Sequence, residues 1–216
     1  MLETNSVLNR YQTVETVVDL GSRSLKILTV RDINALVDAM GPDDFGPDER
    51  LPYWATIWPS SIVLAREIIS APELVGPVLE LGAGLGVGSI AAGLRGLRVL
   101  ATDYEPDALA FLAGNAERNG VRLETSELDW RDDRQLGAFG TIIASDVLYE
   151  ARKVVPLATT IAKHLAPSGV AWVADPGRGF LTSLQLEAME RQLVPRVLER
   201  GDVSILELRR VTGEGS

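Results

Sequence analysis

Cysteine is absent from the 216 residues, and histidine occurs once, at position 164. The first absence excludes disulfides and thiolate-ligated metals. The lone His164 falls in a predicted helix, where we expect it to be solvated, so no metal centre is suggested. No run approaches the ~18 consecutive apolar residues of a membrane span. The opening residues, MLETNSVLNR, lack the apolar centre of a signal peptide. The expectation is a soluble, cytoplasmic protein with no membrane partner; a reducing compartment is compatible with the missing cysteines. Basic residues are also short, 21 against 30 acidic ones, for a net charge of −9. Phosphate neutralisation needs a Lys/Arg surface, so a nucleic-acid partner is disfavoured and a basic or lysine-bearing protein substrate fits better.

The chain is long enough for one domain of ~100–200 residues. With 46% hydrophobic residues it can bury a sizeable core. No internal repeat or low-complexity tract divides it. We expect one globular unit and a monomer, with residues 1–50 as an N-terminal extension packed on a core of residues 51–216. In the extension, residues 13–20 and 24–30 alternate polar and apolar around Gly21-Ser22, the pattern of a β-hairpin. Asp32 is placed to cap a short helix over 32–40, and the Gly/Pro/Asp-rich residues 41–50 read as a loop.

From Pro59 the pattern becomes strand, helix, strand. Helices are expected over 60–69 (capped by Ser60), 88–94, 106–119, 154–165 and 181–193, the last ended by Pro195. Strands are expected over 78–81, 98–102, 122–128, 141–145 and 170–174, the last preceded by a Pro167-Ser168-Gly169 turn, with two more over 196–199 and 203–211. Such alternation predicts an α/β fold. Its mostly parallel, Rossmann-like sheet is covered by helices on both faces and binds ligands at the strands' carboxyl ends.

The segment VLELGAGLGVGSI, residues 78–90, puts a glycine-rich turn between a strand and a helix. Glycine allows positive φ and close backbone approach, and the helix N-terminus offers free N–H groups. Alone, GxGxG is compatible with a plain tight turn. A dinucleotide-binding dehydrogenase would want G-x-G-x-x-G. Counting from Gly82 the third position is Val87, and counting from Gly84 it is Ser89, so neither frame completes it. Asp103 ends the next strand, about twenty residues on, the distance one strand–helix–strand unit imposes. Its carboxylate can accept from ribose hydroxyls, or it can cap the following helix. Asp129-Trp130 can accept from and stack on adenine, or be an interior Trp beside a turn Asp.

These residues, with Asp146-Val147-Leu148-Tyr149 after the strand 141–145, the segment PYWATIWPSS at 52–61 and Asp175-Pro176-Gly177-Arg178, carry a resemblance. The chain resembles the seven-β-strand, S-adenosylmethionine-dependent methyltransferases of the family-16 lysine methyltransferase-like group. It is similar in particular to the electron-transfer flavoprotein β-subunit lysine methyltransferases and to predicted nicotinamide N-methylases. The resemblance spans about residues 50–180 and departs from the flavoprotein enzymes at Trp58-Pro59-Ser60-Ser61, where they carry small, Gly-rich residues. It implies S-adenosylmethionine as cofactor, with Glu80, Gly82, Gly84 and Gly86 lining its methionine part and Asp103 holding the ribose. It implies that Asp129 and Trp130 flank the adenine, that Trp54 closes the methionine end and that Ser145 lies under the sulfonium. Asp146 and Tyr149 would face the methyl acceptor, with Asp146 capturing an amine. That acceptor is read as a protein lysine. A small-molecule amine acceptor and a catalytically silent binding protein are the alternatives.

Overall fold

The computed structural model describes residues 6–40 and 51–211. The expected loop 41–50 lies outside the described residues. Two strands, β1 (Thr13–Asp19) and β2 (Ser24–Val30), pair antiparallel as the hairpin. Helix α1 (Ile33–Asp38) follows, and Asp32 caps it by accepting from the N–H groups of Asn34 and Ala35 at 3.0 and 3.1 Å. The core then runs α2 (Pro59–Ser70), β3 (Val78–Leu81), α3 (Val87–Leu94), β4 (Val99–Asp103), α4 (Pro106–Arg118), β5 (Glu124–Glu127) and β6 (Phe139–Ser145). It ends with α5 (Val154–His164), β7 (Leu165–Asp175), α6 (Phe180–Glu190), β8 (Leu193–Arg200) and β9 (Val203–Arg210).

The seven core strands lie in the order β5-β4-β3-β6-β7-β9-β8. Only β9 runs antiparallel to the rest. The chain leaves β3 toward one edge, then returns to lay β6 on its other side, so the carboxyl ends of β3 and β6 flank the topological switch point where such sheets bind ligands. Helices cover both faces, so residues pointing either way from the central strands are buried. Val78, Ile143 and Trp172 point to the face covered by α2 and α3, whereas Leu79, Ile142 and Val173 point to the face covered by α5 and α6.

The hairpin buries Leu25 and Ile27 completely in the first of these cores. Side chains also tie it down: Asn119 accepts from the Lys26 N–H at 2.9 Å and donates to the Lys26 carbonyl at 2.8 Å, Arg66 donates to the Asp19 carbonyl at 2.9 Å, and Asn115 reaches furthest. Asn115, buried within α4, accepts from the Leu28 N–H at 2.8 Å and donates to the Leu28 carbonyl at 3.2 Å and to the Leu85 carbonyl at 3.1 Å. A single amide thus links the hairpin, α4 and the glycine-rich turn.

Several local expectations are corrected. Ser60 does not cap its helix; Trp58 holds the cap position, Pro59 starts the helix and Ser60 is buried beneath it. Residues 167–169 are not a turn ahead of a strand. They bulge within β7, which pairs Leu165 with Phe139 and Val170 with Thr141. Pro195 does not stop α6. The helix ends at Glu190 and turns through Gln192 at φ 60°, while Pro195 sits inside the edge strand β8, where a missing N–H is tolerated. His164 is buried rather than solvated, with Nδ1 at 2.9 Å from the Gly137 carbonyl.

Replacing Asn115 by Ala strands a buried N–H and two buried carbonyls. At about 1–3 kcal/mol for an unsatisfied buried group, the loss is expected to exceed ~2 kcal/mol, read from urea unfolding midpoints. A loss below ~0.5 kcal/mol would show that the amide is not the tie described.

Candidate active site

A cavity of about 370 Å³ opens at the carboxyl ends of β3, β4, β5 and β6. Ten of the eleven residues singled out in the sequence line it: Trp54, Glu80, Gly82, Gly84, Asp103, Asp129, Trp130, Ser145, Asp146 and Tyr149. Gly86 is not among the lining residues. It caps α3 at φ 84°, and a Cβ there would lie 2.6 Å from Leu112 Cγ, so its glycine answers to packing beneath the turn.

At the turn itself, Gly82 has φ 66°, and a Cβ on it would meet Val147 Cγ1 at 2.8 Å. The wall is therefore bare backbone. Glu80 points inward and accepts from the Ser89 N–H at 2.7 Å. Its Oε1 would lie only 2.4 Å from a Cβ on Gly88. Gly88 is thus the glycine the carboxylate needs, one step beyond the GxGxG count in the sequence. Burial pushes the Glu80 carboxyl up to about 7, against the Ser89 hydrogen bonds, and the Asp103 charge adds to the rise.

Asp103 accepts from the Gly84 N–H at 2.8 Å and from the Glu105 N–H at 3.0 Å. Burial raises its pKa, opposed by these backbone donors and by the positive charge of Lys153. The Glu105 bond spans two residues at the start of α4, so part of the capping alternative is also present. Asp129 is bound by its near neighbour: Arg131 donates through Nε at 3.0 Å and Nη2 at 2.6 Å, and this holds the carboxyl below the usual range. Trp130 stands with Cζ2 3.4 Å from the position of a Gly82 Cβ. The half-buried Trp54 lies over Gly84 with its backbone and is braced by Tyr11 and Phe111, whose ring centroids are 5.6 and 5.1 Å away. Tyr11 is itself anchored by its hydroxyl to Asp107, as is Arg10.

At the opposite wall, Asp146 adopts φ 57°, an uncommon conformation that turns its carboxylate back under α2. Oδ2 accepts from the Ser60 N–H at 3.1 Å, and Oδ1 from the Ser60 hydroxyl at 3.1 Å and Arg178 Nη1 at 3.2 Å. The cap expected from Ser60 is thus supplied to the helix from 86 residues away. Arg178 also reaches the fully buried Asp175, at 3.3 Å. Burial raises the Asp146 pKa, and Arg178 and Ser60 oppose the rise. Tyr149 packs on Tyr53 at 5.2 Å, and burial pushes its phenol up to about 12.

Residues 53–185 match the protein family described as lysine methyltransferase. The chain belongs to this family. Similar relatives include the electron transfer flavoprotein beta subunit lysine methyltransferase of Xenopus laevis, 32% identical over 61% of this chain and 55% of that protein. Another is the protein N-lysine methyltransferase METTL21A of Danio rerio, 34% identical over 55% of this chain and 58% of that protein. The chain therefore spans a little over half the length of these curated relatives. Among solved structures, a T. thermophilus 16S rRNA methyltransferase in complex with AdoMet and guanosine superposes with a TM-score of 0.68 at 16% identity, covering 93% of this chain and 51% of that one. A ribosomal protein L11 methylase from Lactobacillus delbrueckii gives 0.58 at 24% identity, covering 70% and 78%. Both likenesses speak to the fold, a Rossmann-like α/β sheet of the methyltransferase kind.

The raised Glu80 pKa carries a stability cost with a defined sign. A carboxyl titrating near 7 when folded and near 4.5 when unfolded favours the native state below about 4.5, and that advantage is lost as pH rises through 7. The shift corresponds to about 3 kcal/mol. Urea unfolding of wild type and Glu80→Gln should therefore diverge between pH 4.5 and pH 8, with the variant gaining relative stability at the alkaline end. A pH-independent difference would contradict the assignment.

Proposed function

We propose that this protein is an S-adenosylmethionine-dependent N-methyltransferase acting on a protein lysine side chain. The observation that carries the reading is the convergence, in one cavity, of a backbone-walled glycine turn, two buried carboxylates held by N–H groups, and the Asp146–Tyr149 pair. The donor set fits the cofactor. Gly82 and Gly84 admit close approach, Glu80 offers an acceptor for an α-ammonium, and Asp103 has capacity to accept a further hydroxyl beside its backbone donors. Trp130 supplies a ring for the base, and Asp129, which already accepts from the Arg131 main-chain N–H, Nε and Nη2, keeps about one acceptor position for its amino group. Trp54 would close the methionine end and Ser145 would lie beneath the reacting centre.

The cofactor supplies an activated methyl group on a sulfonium that already carries its leaving group. The protein's task is alignment of an amine lone pair opposite the S–CH₃ bond, and positioning can account for several kcal/mol. A lysine amine must first lose a proton, which costs roughly 4–5 kcal/mol at pH 7 for an unperturbed group. A bare carboxylate beside it would raise that cost. Asp146 is not bare: three donors already occupy about three of its four acceptor positions, and the Arg178 cation offsets its charge. One position is left to orient the amine, and the proton departs to water. With a phenol pKa near 12, Tyr149 stays protonated and serves as donor or packing surface rather than base.

Incubation of a demethylated lysate with labelled S-adenosylmethionine, followed by mass spectrometry, should place label on lysine ε-nitrogens. Asp146→Asn should keep cofactor affinity while lowering turnover by about 10²-fold, the cost of a misplaced reactant. Label confined to small molecules would overturn the protein acceptor, and unchanged turnover would overturn the role of Asp146.

A further inference from the structure

Lys153 lies at the end of a 3-10 turn (Ala151–Lys153) leading into α5, and its half-buried side chain reaches into the same cavity. Its ammonium stands 4.9 Å from the ring centre of Tyr104, 5.2 Å from that of Tyr149 and 5.7 Å from that of Trp130. The position of two of these rings is informative. Tyr104 directly follows Asp103, and Trp130 directly follows Asp129, so the successors of the two acids assigned to the nucleoside converge on one cation. A lysine ammonium is seldom drawn out of water without compensation, and here three aromatic faces provide it.

On the reading of the cavity given above, we infer that Lys153 is a nucleoside-contacting residue, whose ammonium closes over the purine base of the bound cofactor. Purine ring nitrogens and ribose hydroxyls are acceptors, Lys153 brings three donors, and the base offers a further π-face to the cation. Asp103 and Asp129 both feel the charge, so it steadies the acids that hold the ribose and the amino group. The motif at the glycine turn gives no hint of this residue, because the lysine comes from a different crossover.

The contact should have a pH signature. The groups facing Lys153 are Asp103 and Tyr104 from the end of β4, Asp129, Trp130 and Arg131 from beyond β5, and Tyr149, Glu150 and Arg152 from its own segment. Burial lowers the Lys153 pKa from the ordinary lysine value, with Arg152 and Arg131 adding and Glu150 and Asp129 opposing. Affinity that depends on the ammonium is present below that lowered pKa and lost as pH rises through it. An arginine at this position keeps its charge across the same range.

Calorimetric titrations of wild type, Lys153→Met and Lys153→Arg with S-adenosylhomocysteine and with adenosine test this, with thermal melting as the folding control. Lys153→Met keeps the apolar stem and should weaken both ligands by about fivefold or more. Lys153→Arg should bind within about twofold of wild type and should abolish the alkaline loss of affinity. Equal binding by Lys153→Met overturns the inference, and tighter binding also overturns it, since the ammonium would then merely block the base position. A wild type that binds neither ligand fails the methyltransferase reading itself, and that result is distinct from wild-type binding that is insensitive to position 153.

Discussion

Two carboxylates, Glu80 in β3 and Asp103 at the end of β4, are buried side by side and each is held by main-chain N–H groups rather than by a cation in direct contact. Burying charge this way is costly, and it dictates much of what surrounds it. Gly88 lacks a side chain because Glu80 needs the space. Gly84 turns its N–H toward Asp103, which sets the path of the turn. Thr102 donates to the Glu80 carbonyl at 2.6 Å and accepts the Ala83 N–H through its own carbonyl, lacing the turn to the neighbouring strand. The glycines form a wall because the acids on either side fix the backbone between them.

The two ends of the cavity are built on different supports. At the glycine turn, Asn115 ties the Leu85 carbonyl to the N-terminal hairpin, and Tyr11 with Phe111 braces Trp54, so the extension contributes to the geometry of the core. At the other end, Asp146 joins β6 to the start of α2 through Ser60, and Arg178 and Asp175 bring in the segment after β7. Removing one partner from such a cluster leaves buried charge without compensation. The positive φ of Asp146 is tolerated because these contacts over-determine its direction.

Features written in short stretches of chain were legible in the sequence. The hairpin, the Asp32 cap, the α/β alternation and the pairing of the glycine turn with Asp103 follow from pattern and spacing, while the place of Asp146 and Tyr149 follows from the family resemblance. What was not legible depends on partners distant in sequence. Ser60 looked like a helix cap because nothing local reveals that Asp146, 86 residues on, caps the helix and captures the hydroxyl. His164 looked solvated because its acceptor, the Gly137 carbonyl, comes from the loop before β6. Gln192 ends α6 in a left-handed conformation that glycine would have announced, and Pro195 drew the boundary instead. Gly86 belonged to the motif by count, yet its reason is Leu112 underneath. Lys153 is not legible as a site residue, since two of its three rings, Tyr104 and Trp130, come from segments distant in sequence.

The cavity at the switch point is proposed to take S-adenosylmethionine. Isothermal titration of the wild-type chain with S-adenosylmethionine, repeated with a reduced nicotinamide dinucleotide, tests it most directly. Saturable one-to-one binding of the first, displaced by S-adenosylhomocysteine, with no binding of the second, is the expected result. Failure to bind S-adenosylmethionine, or preference for the dinucleotide, would contradict the account.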